Sequence, residues 1–369
     1  MKRRTMLSLL ASLPAATAFS RESGNLVLGQ SAPSSGPSAQ LGIQLNRGAR
    51  LYFDKVNAAG GVNGQKIELR MLDDGYEPPR AKANTETFLN DDVFALFGYV
   101  GTPTSLAALP LVKDSGIPFF GPFTGAMALR TPALRNVFHV RASYDDETAL
   151  IVNQLHNLGL KKIAVFRQND SYGQAGLDGT VKALKALGLA PVAVGSVERN
   201  TTKVDDAVKA IVAAQPDGVV QISSYKSCAA FIREARKAGY GGQFFNVSFV
   251  GTKALSDELK NEALGVVVSQ VMPYPFSPAV PIVRDYLDAV KASGDASVNY
   301  SSLEGYIDAR IFVEGLRRGR ANTREGLASG LESLQHVDFD GFNLNMGREH
   351  AASHFVELSM LTGDGGVRR

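Results

Sequence analysis

From Leu26 onward the chain alternates short apolar runs with longer segments whose apolar positions recur at helical spacing. That pattern belongs to parallel α/β sheets covered on both faces, in which strands read as continuous hydrophobic runs and crossovers as amphipathic helices. Strands are predicted at residues 26–29, 66–72, 94–98 and 118–121 in the first half. In the second half they fall at 162–167, 191–195, 218–223, 244–248 and 265–270. Between them, Val204, Val208, Ile211 and Val212 form one apolar stripe, and Leu177, Val181, Leu184 and Leu187 another; both stripes should pack on a sheet. Gly159, Gly188 and Gly239 follow such segments where a left-handed cap is wanted, and Pro216-Asp217 stops the helix that begins near Lys203.

After Met272 the pattern changes. Pro273, Pro275, Pro278 and Pro281 cluster, and three helical segments follow with hardly a strand among them. Helices without strands of their own need a sheet already built, so the chain is expected to return to the first α/β block near Val271 and to cross again near Phe339. Two lobes result, each discontinuous in sequence: 24–141 plus 272–338, and 142–271 plus 339–369, with several segments between them acting as a hinge. A chain of 369 residues, 44% apolar and 20% charged, has the material for two such cores.

Ahead of this block, Lys2-Arg3-Arg4, an apolar stretch from Met6 to Leu13 and the small residues Ala16-Thr17-Ala18 read in order as a secretory signal peptide, cleaved near Ala18. The expected location is the periplasm. Without those three cations the chain carries 36 basic and 36 acidic residues, so charge gives no case for nucleic acid or an anionic membrane. The single cysteine, Cys228, excludes an internal disulfide and a Cys-rich zinc site.

In open parallel sheets ligands bind beyond the carboxyl ends of strands, where loops enter helix N-termini. Four such loops stand out. Thr102 lies in Gly101-Thr102-Pro103-Thr104-Ser105, where it suits an N-cap as well as a ligand contact. Phe123-Thr124-Gly125 form a second loop of small and hydroxyl residues, and Tyr172 and Tyr225 occupy two strand exits in the second half. Each tyrosine suits either a partly buried packing role or a ring laid over a ligand with its hydroxyl bonded.

No G-x-S-x-G elbow, phosphate-binding loop or G-x-G-x-x-G fingerprint occurs. No enzyme activity, cofactor or metal is expected. His350 and His354 have Ala351 where a zinc protease needs its glutamate, and Asp73-Asp74 and Asp145-Asp146 read as structural pairs.

The chain resembles the periplasmic binding proteins for branched-chain amino acids (Leu/Ile/Val) that serve ABC transporters. The likeness rests on residues 34–42 (Ser-Ser-Gly-Pro-Ser-Ala-Gln-Leu-Gly), 57–64 (Asn-Ala-Ala-Gly-Gly-Val-Asn-Gly), Asp73-Asp74 with Pro78, and Asp170-Ser171-Tyr172-Gly173. It implies two Rossmann-like lobes, the type 1 periplasmic binding fold, closing over a small ligand and presenting it to a membrane permease. It further implies that the positions of Thr102 and Phe123-Thr124-Gly125 hold the ligand's carboxylate and amine, and those of Tyr172 and Tyr225 its body. The family's acid against the ligand ammonium aligns with Ser248, and an aromatic of the first loop with Leu41. A neutral Ser248 supplies no ion pair to a buried cation. Organic and aromatic acids therefore join amino acids as candidate solutes, with Glu304 a substitute cation partner if its helix faces the cleft. The alternative function is a ligand-sensing receptor subunit of the same fold that signals through a partner protein.

Overall fold

The computed structural model describes residues 24–369 apart from Ala296; the signal peptide read at 1–18 lies outside the described residues. The first block runs β1 (Leu26–Ala32), α1 (Ala39–Ala58), β2 (Ile67–Asp73), α2 (Pro78–Asn90), β3 (Ala95–Phe97), α3 (Thr102–Val112), β4 (Phe119–Phe120) and β5 (Val137–Phe138). Its five strands form one parallel sheet in the order β2-β1-β3-β4-β5.

The second block follows as α4 (Tyr144–Asn157), β6 (Ile163–Gln168), α5 (Ser171–Ala186), β7 (Ala193–Val197), α6 (Asp205–Ala213), β8 (Gly218–Ile222), α7 (Tyr225–Lys237), β9 (Gln243–Asn246), α8 (Thr252–Leu259) and β10 (Val267–Gln270). The chain then adds α9 (Pro281–Ala292), α10 (Tyr300–Gly319), α11 (Arg324–Glu332), a hairpin of β11 (Val337–Phe339) and β12 (Phe342–Leu344), and finally β13 (Glu357–Leu361) and β14 (Val367–Arg368). The second sheet has the order β14-β13-β10-β9-β8-β6-β7, with parallel pairing from β10 to β7 and antiparallel pairing on both sides of β13 at one edge. These are the two α/β lobes with parallel sheets that the pattern predicts.

α9 to α11 pack into one core with the first sheet. Phe312 of α10 meets Phe97 and Phe120 edge-on at 5.9 and 5.3 Å, between helix and sheet. α10 and α1 touch at glycines: a Cβ on Gly48 would stand 1.7 Å from the Ser302 carbonyl oxygen, and one on Gly305 2.0 Å from that of Leu45. This close approach fixes the helix that carries Glu304 and Asp308.

The hairpin also lays Phe339, Phe342 and Leu344 into the first core. The last crossing therefore follows Ala352, later than the expected Phe339. Three segments join the lobes, and two of them pair: His139 N–H donates to the His350 carbonyl at 2.7 Å, and Ala352 N–H to that of His139 at 2.8 Å.

The α6 stripe packs as predicted, with Val204, Val208 and Ile211 buried. On α5 the prediction is only partly met, because Val181 is exposed and the packed face runs through Tyr172, Gly173, Gly176, Gly179, Thr180 and Leu184. A Cβ on Gly176 would sit 2.6 Å from the Ile222 side chain and one on Gly179 2.6 Å from Thr148 Oγ1. Close approach, which an apolar count does not register, selects that face.

Candidate functional site

The loops at the carboxyl ends of the two sheets meet across the cleft. In lobe one, Phe123 N–H donates to the Tyr99 carbonyl at 2.7 Å and Gly101 N–H to that of Phe123 at 3.2 Å, which sets two loops side by side. Thr102 Oγ1 and Thr124 Oγ1 then lie 2.6 Å apart. The expectation that Thr102 caps its helix is corrected: Gly101 is the cap residue at φ 101°, and Thr102 opens α3 with its hydroxyl turned to Thr124. A Cβ on Gly101 would fall 2.2 Å from the Tyr76 ring, so both the backbone and the neighbour require glycine.

Gly125 docks this pair of loops on the start of α4, its carbonyl accepting from Tyr144 N–H at 2.8 Å, with a Cβ there falling 2.5 Å from that nitrogen. Ser143 and Asp146 form a capping box that fixes where α4 begins, and so where Tyr144 and Glu147 point. Across the cleft, Asp170 accepts from Tyr172 N–H and Gly173 N–H at 2.9 and 3.3 Å, anchoring Tyr172 at the head of α5.

Phe249 is the hub of the rings. Its centroid lies 4.6 Å from Tyr172, 5.5 Å from Phe123 and 5.8 Å from Tyr76, while Tyr172 lies 5.4 Å from Tyr144. All five are buried. The hydroxyls of Tyr144, Tyr172 and Ser105 are buried without partners, as are those of Ser223 and Ser224 at the exit of β8. Burial holds the Tyr172 phenol well above its ordinary pKa and pushes Tyr144 up to about 12, so both stay protonated and able to donate. Tyr225 opens α7 and is itself buried, and burial raises its phenol pKa.

A charged cluster forms the floor. Arg141, 1% exposed, lies 4.3 Å over the Phe123 ring, donates from Nη2 to Ser248 Oγ at 2.5 Å, and pairs through Nε with Glu304 at 3.2 Å. Glu147 accepts from Ser248 N–H at 2.7 Å, from Ser248 Oγ at 3.0 Å and from Ser269 Oγ at 2.6 Å. Burial raises the Glu147 carboxyl pKa, with Arg141 and these donors opposing it. Ser248 is thus held between Glu147 and Arg141. The expectation for Glu304 is refined: its helix does face the cleft, but the cation it meets is Arg141.

At the rim, Arg199 of lobe two pairs with Glu77 at 3.0 Å across the cleft and with Asp170 at 3.2 Å in its own lobe. Asn200 donates to the Gly75 carbonyl at 3.0 Å, and Gln168 to the Tyr76 hydroxyl at 3.2 Å. The lobes are closed on each other.

The predicted residues Thr102, Phe123, Thr124, Gly125, Tyr172 and Ser248 thus gather in one buried region, and Tyr225 is buried at the start of α7. Sequence reading missed Tyr76, Arg141, Tyr144, Glu147 and Phe249. Tyr76 and Phe249 also follow strands, and the Ser143-x-x-Asp146 spacing marks the start of α4. His350 and His354 have separate partners, Glu332 at 3.0 Å and Asp146 at 3.2 Å. Asp73 accepts from the Ser34, Ser35 and Gly75 amides and Asp74 from Tyr76 N–H, both bracing the first loop as read.

Comparison with known proteins agrees with this architecture. A crystal structure of a possible leucine/isoleucine/valine-binding protein from Rhodopirellula baltica SH 1 superposes with a TM-score of 0.89 at 36% identity, covering 94% of this chain and 96% of that one. An amino acid binding protein of Pseudomonas aeruginosa is 26% identical over 314 residues, 84% of this chain and 83% of its own. Leu/Ile/Val-binding protein homolog 7 of Brucella suis is 25% identical over 346 residues, 88% and 84% of the two chains. The family model described as periplasmic binding protein matches residues 26–362, and with both sheets, the three-segment hinge and the closed cleft in place, the chain belongs to that family.

Proposed function

We propose that this protein is the exported receptor of an ABC transporter, that it binds a small carboxylate-bearing solute between its lobes, and that hinge closure presents the loaded form to a membrane permease. Thr102, Thr124 and Gly125 form the lobe-one contact, Phe123, Tyr172 and Tyr225 enclose the body of the solute, and Ser248 lies at the floor. The observation that carries this reading is the convergence of hydroxyls from both lobes on one buried ring cluster, with the Tyr144, Tyr172 and Ser105 hydroxyls unpartnered there. A buried polar group without a partner is costly, and a cleft that holds several of them is built to receive a polar ligand. Contact with both lobes makes the solute favour the closed state.

A thermal-shift screen over amino acids, organic acids and aromatic carboxylates tests this, since a ligand that binds the native form raises the melting temperature. For the compound found, Thr102→Ala and Tyr172→Ala should each weaken binding in calorimetry while the chain remains folded. Unchanged affinity in both variants would move the site elsewhere.

A further inference from the structure

The floor of the cleft states which charge the solute carries. Arg141 donates from Nη2 to Ser248 and stands in an ion pair with Glu304, but Nη1 and Nε are buried without a hydrogen-bond partner, and a guanidinium can only donate. Three acids stand around it. Glu147 already accepts three hydrogen bonds, and Glu304 faces Arg141. Asp308 lies one turn along α10 from Glu304, buried beside Gly121, with Oδ1 unpartnered.

Two carboxyls one helical turn apart in a buried site do not both ionise readily. Burial, opposed by Arg141, holds Glu304 at about 7, and burial with the charge of Glu304 holds Asp308 well above the carboxylate range. The groups that face Glu304 are Arg141 of the first crossing, Glu147 of α4 and Asp308 of its own helix; Arg130, which donates to the Arg141 carbonyl at 2.9 Å, stands behind. With one proton on the Glu304–Asp308 pair, two guanidiniums balance two negative charges. An entering anion is met by Nη1, whereas an entering ammonium meets a guanidinium of its own sign, a Glu147 that already accepts three hydrogen bonds, a Glu304 already paired with Arg141, and an Asp308 that burial holds toward its neutral form.

We infer that Arg141 receives the anionic group of the solute and restricts the site to carboxylates that bear no ammonium group. This rests on the cleft reading above and narrows it. An anion on Arg141 draws charge away from its pairing with Glu304, so Glu304 takes up a proton as the solute binds. Affinity for the anion therefore rises as pH falls toward about 7 from above.

The test is calorimetry on the wild-type protein with benzoate, phenylacetate and 4-methylpentanoate, each beside its primary amide, and with phenylalanine and leucine. The acid of at least one pair should bind at least about ten-fold more tightly than its amide and than the amino acid of similar shape, because each of those leaves a buried charge badly matched. Binding in buffers of different ionisation heat should show proton uptake, and Glu304→Gln should remove it. Arg141→Gln should abolish the preference for acid over amide; the wild-type comparison stands even if that variant does not fold. Equal binding of acid and amide, tighter binding of the amino acid, or no proton uptake would overturn the role of Arg141 and leave the cleft reading standing. Binding of none of these compounds, with capture of a solute lacking a carboxylate, would overturn both.

Discussion

The half of the cleft made of Thr102, Thr124, Tyr144, Tyr172 and Ser105 leaves buried hydroxyls without partners, whereas Glu147 in the charged half has donors on both oxygens. Both halves are equally dry. Glu147 and those hydroxyls differ in where their hydrogen-bonding capacity is spent. A satisfied buried carboxylate holds the closed fold together, and an unsatisfied hydroxyl is capacity left for something that enters. Removing a side chain from the first kind of site should therefore cost stability, and from the second kind, affinity.

The largest effect is expected at Glu147. Glu147→Ala removes the acceptor of Ser248 N–H, Ser248 Oγ and Ser269 Oγ and leaves Arg141 with less opposing charge, so about 3–5 kcal/mol of stability should be lost in urea unfolding. A loss below about 1 kcal/mol would mean that water reaches the floor and the halves do not differ as described.

Next is Tyr172→Phe, which keeps the ring packed at a tilt against Tyr144 and Phe249 and deletes only the unpartnered hydroxyl. Stability should stay the same or rise, since a buried unpaired hydroxyl costs free energy, while solute affinity should fall by about 0.5–1.5 kcal/mol, a several-fold change in calorimetry. Destabilisation would give that hydroxyl a structural partner and erase the contrast.

The two halves also differ in how they show in the sequence. Within the hydroxyl half Thr102, Thr124 and Tyr172 were visible, though Tyr144 was not, because each of the three follows a run read as a strand, and ligand loops of parallel sheets lie at such ends. Arg141 follows β5, which was not among the strands read from the sequence, and its partner Ser248 lies 107 positions away. No local spacing joins residues so distant. The same limit explains α5, whose packed face of glycines carries no hydrophobic signal although its apolar residues predict a different one. The return of α9 to α11 to lobe one was legible because helices without strands must borrow a sheet. The hairpin at Val337–Leu344 was not, since its two strands of three residues each look like loop.

The smallest effect is expected at the rim, where the same kinds of charged groups stand partly in water. Arg199 is 22% exposed and Glu77 41%, so their pair at 3.0 Å is screened in a way the floor is not. Arg199→Ala should lower stability by less than about 1 kcal/mol. It acts on closure, because Glu77 belongs to lobe one and Arg199 to lobe two, and about 1 kcal/mol changes a two-state ratio roughly five-fold. Solution scattering should therefore register a larger average radius of gyration for Arg199→Ala than for the wild type at low salt, with the difference shrinking as salt is added. A variant that scatters identically at all salt concentrations would show that the floor alone holds the lobes together, and a stability loss as large as that of Glu147→Ala would show that exposure does not separate rim from floor.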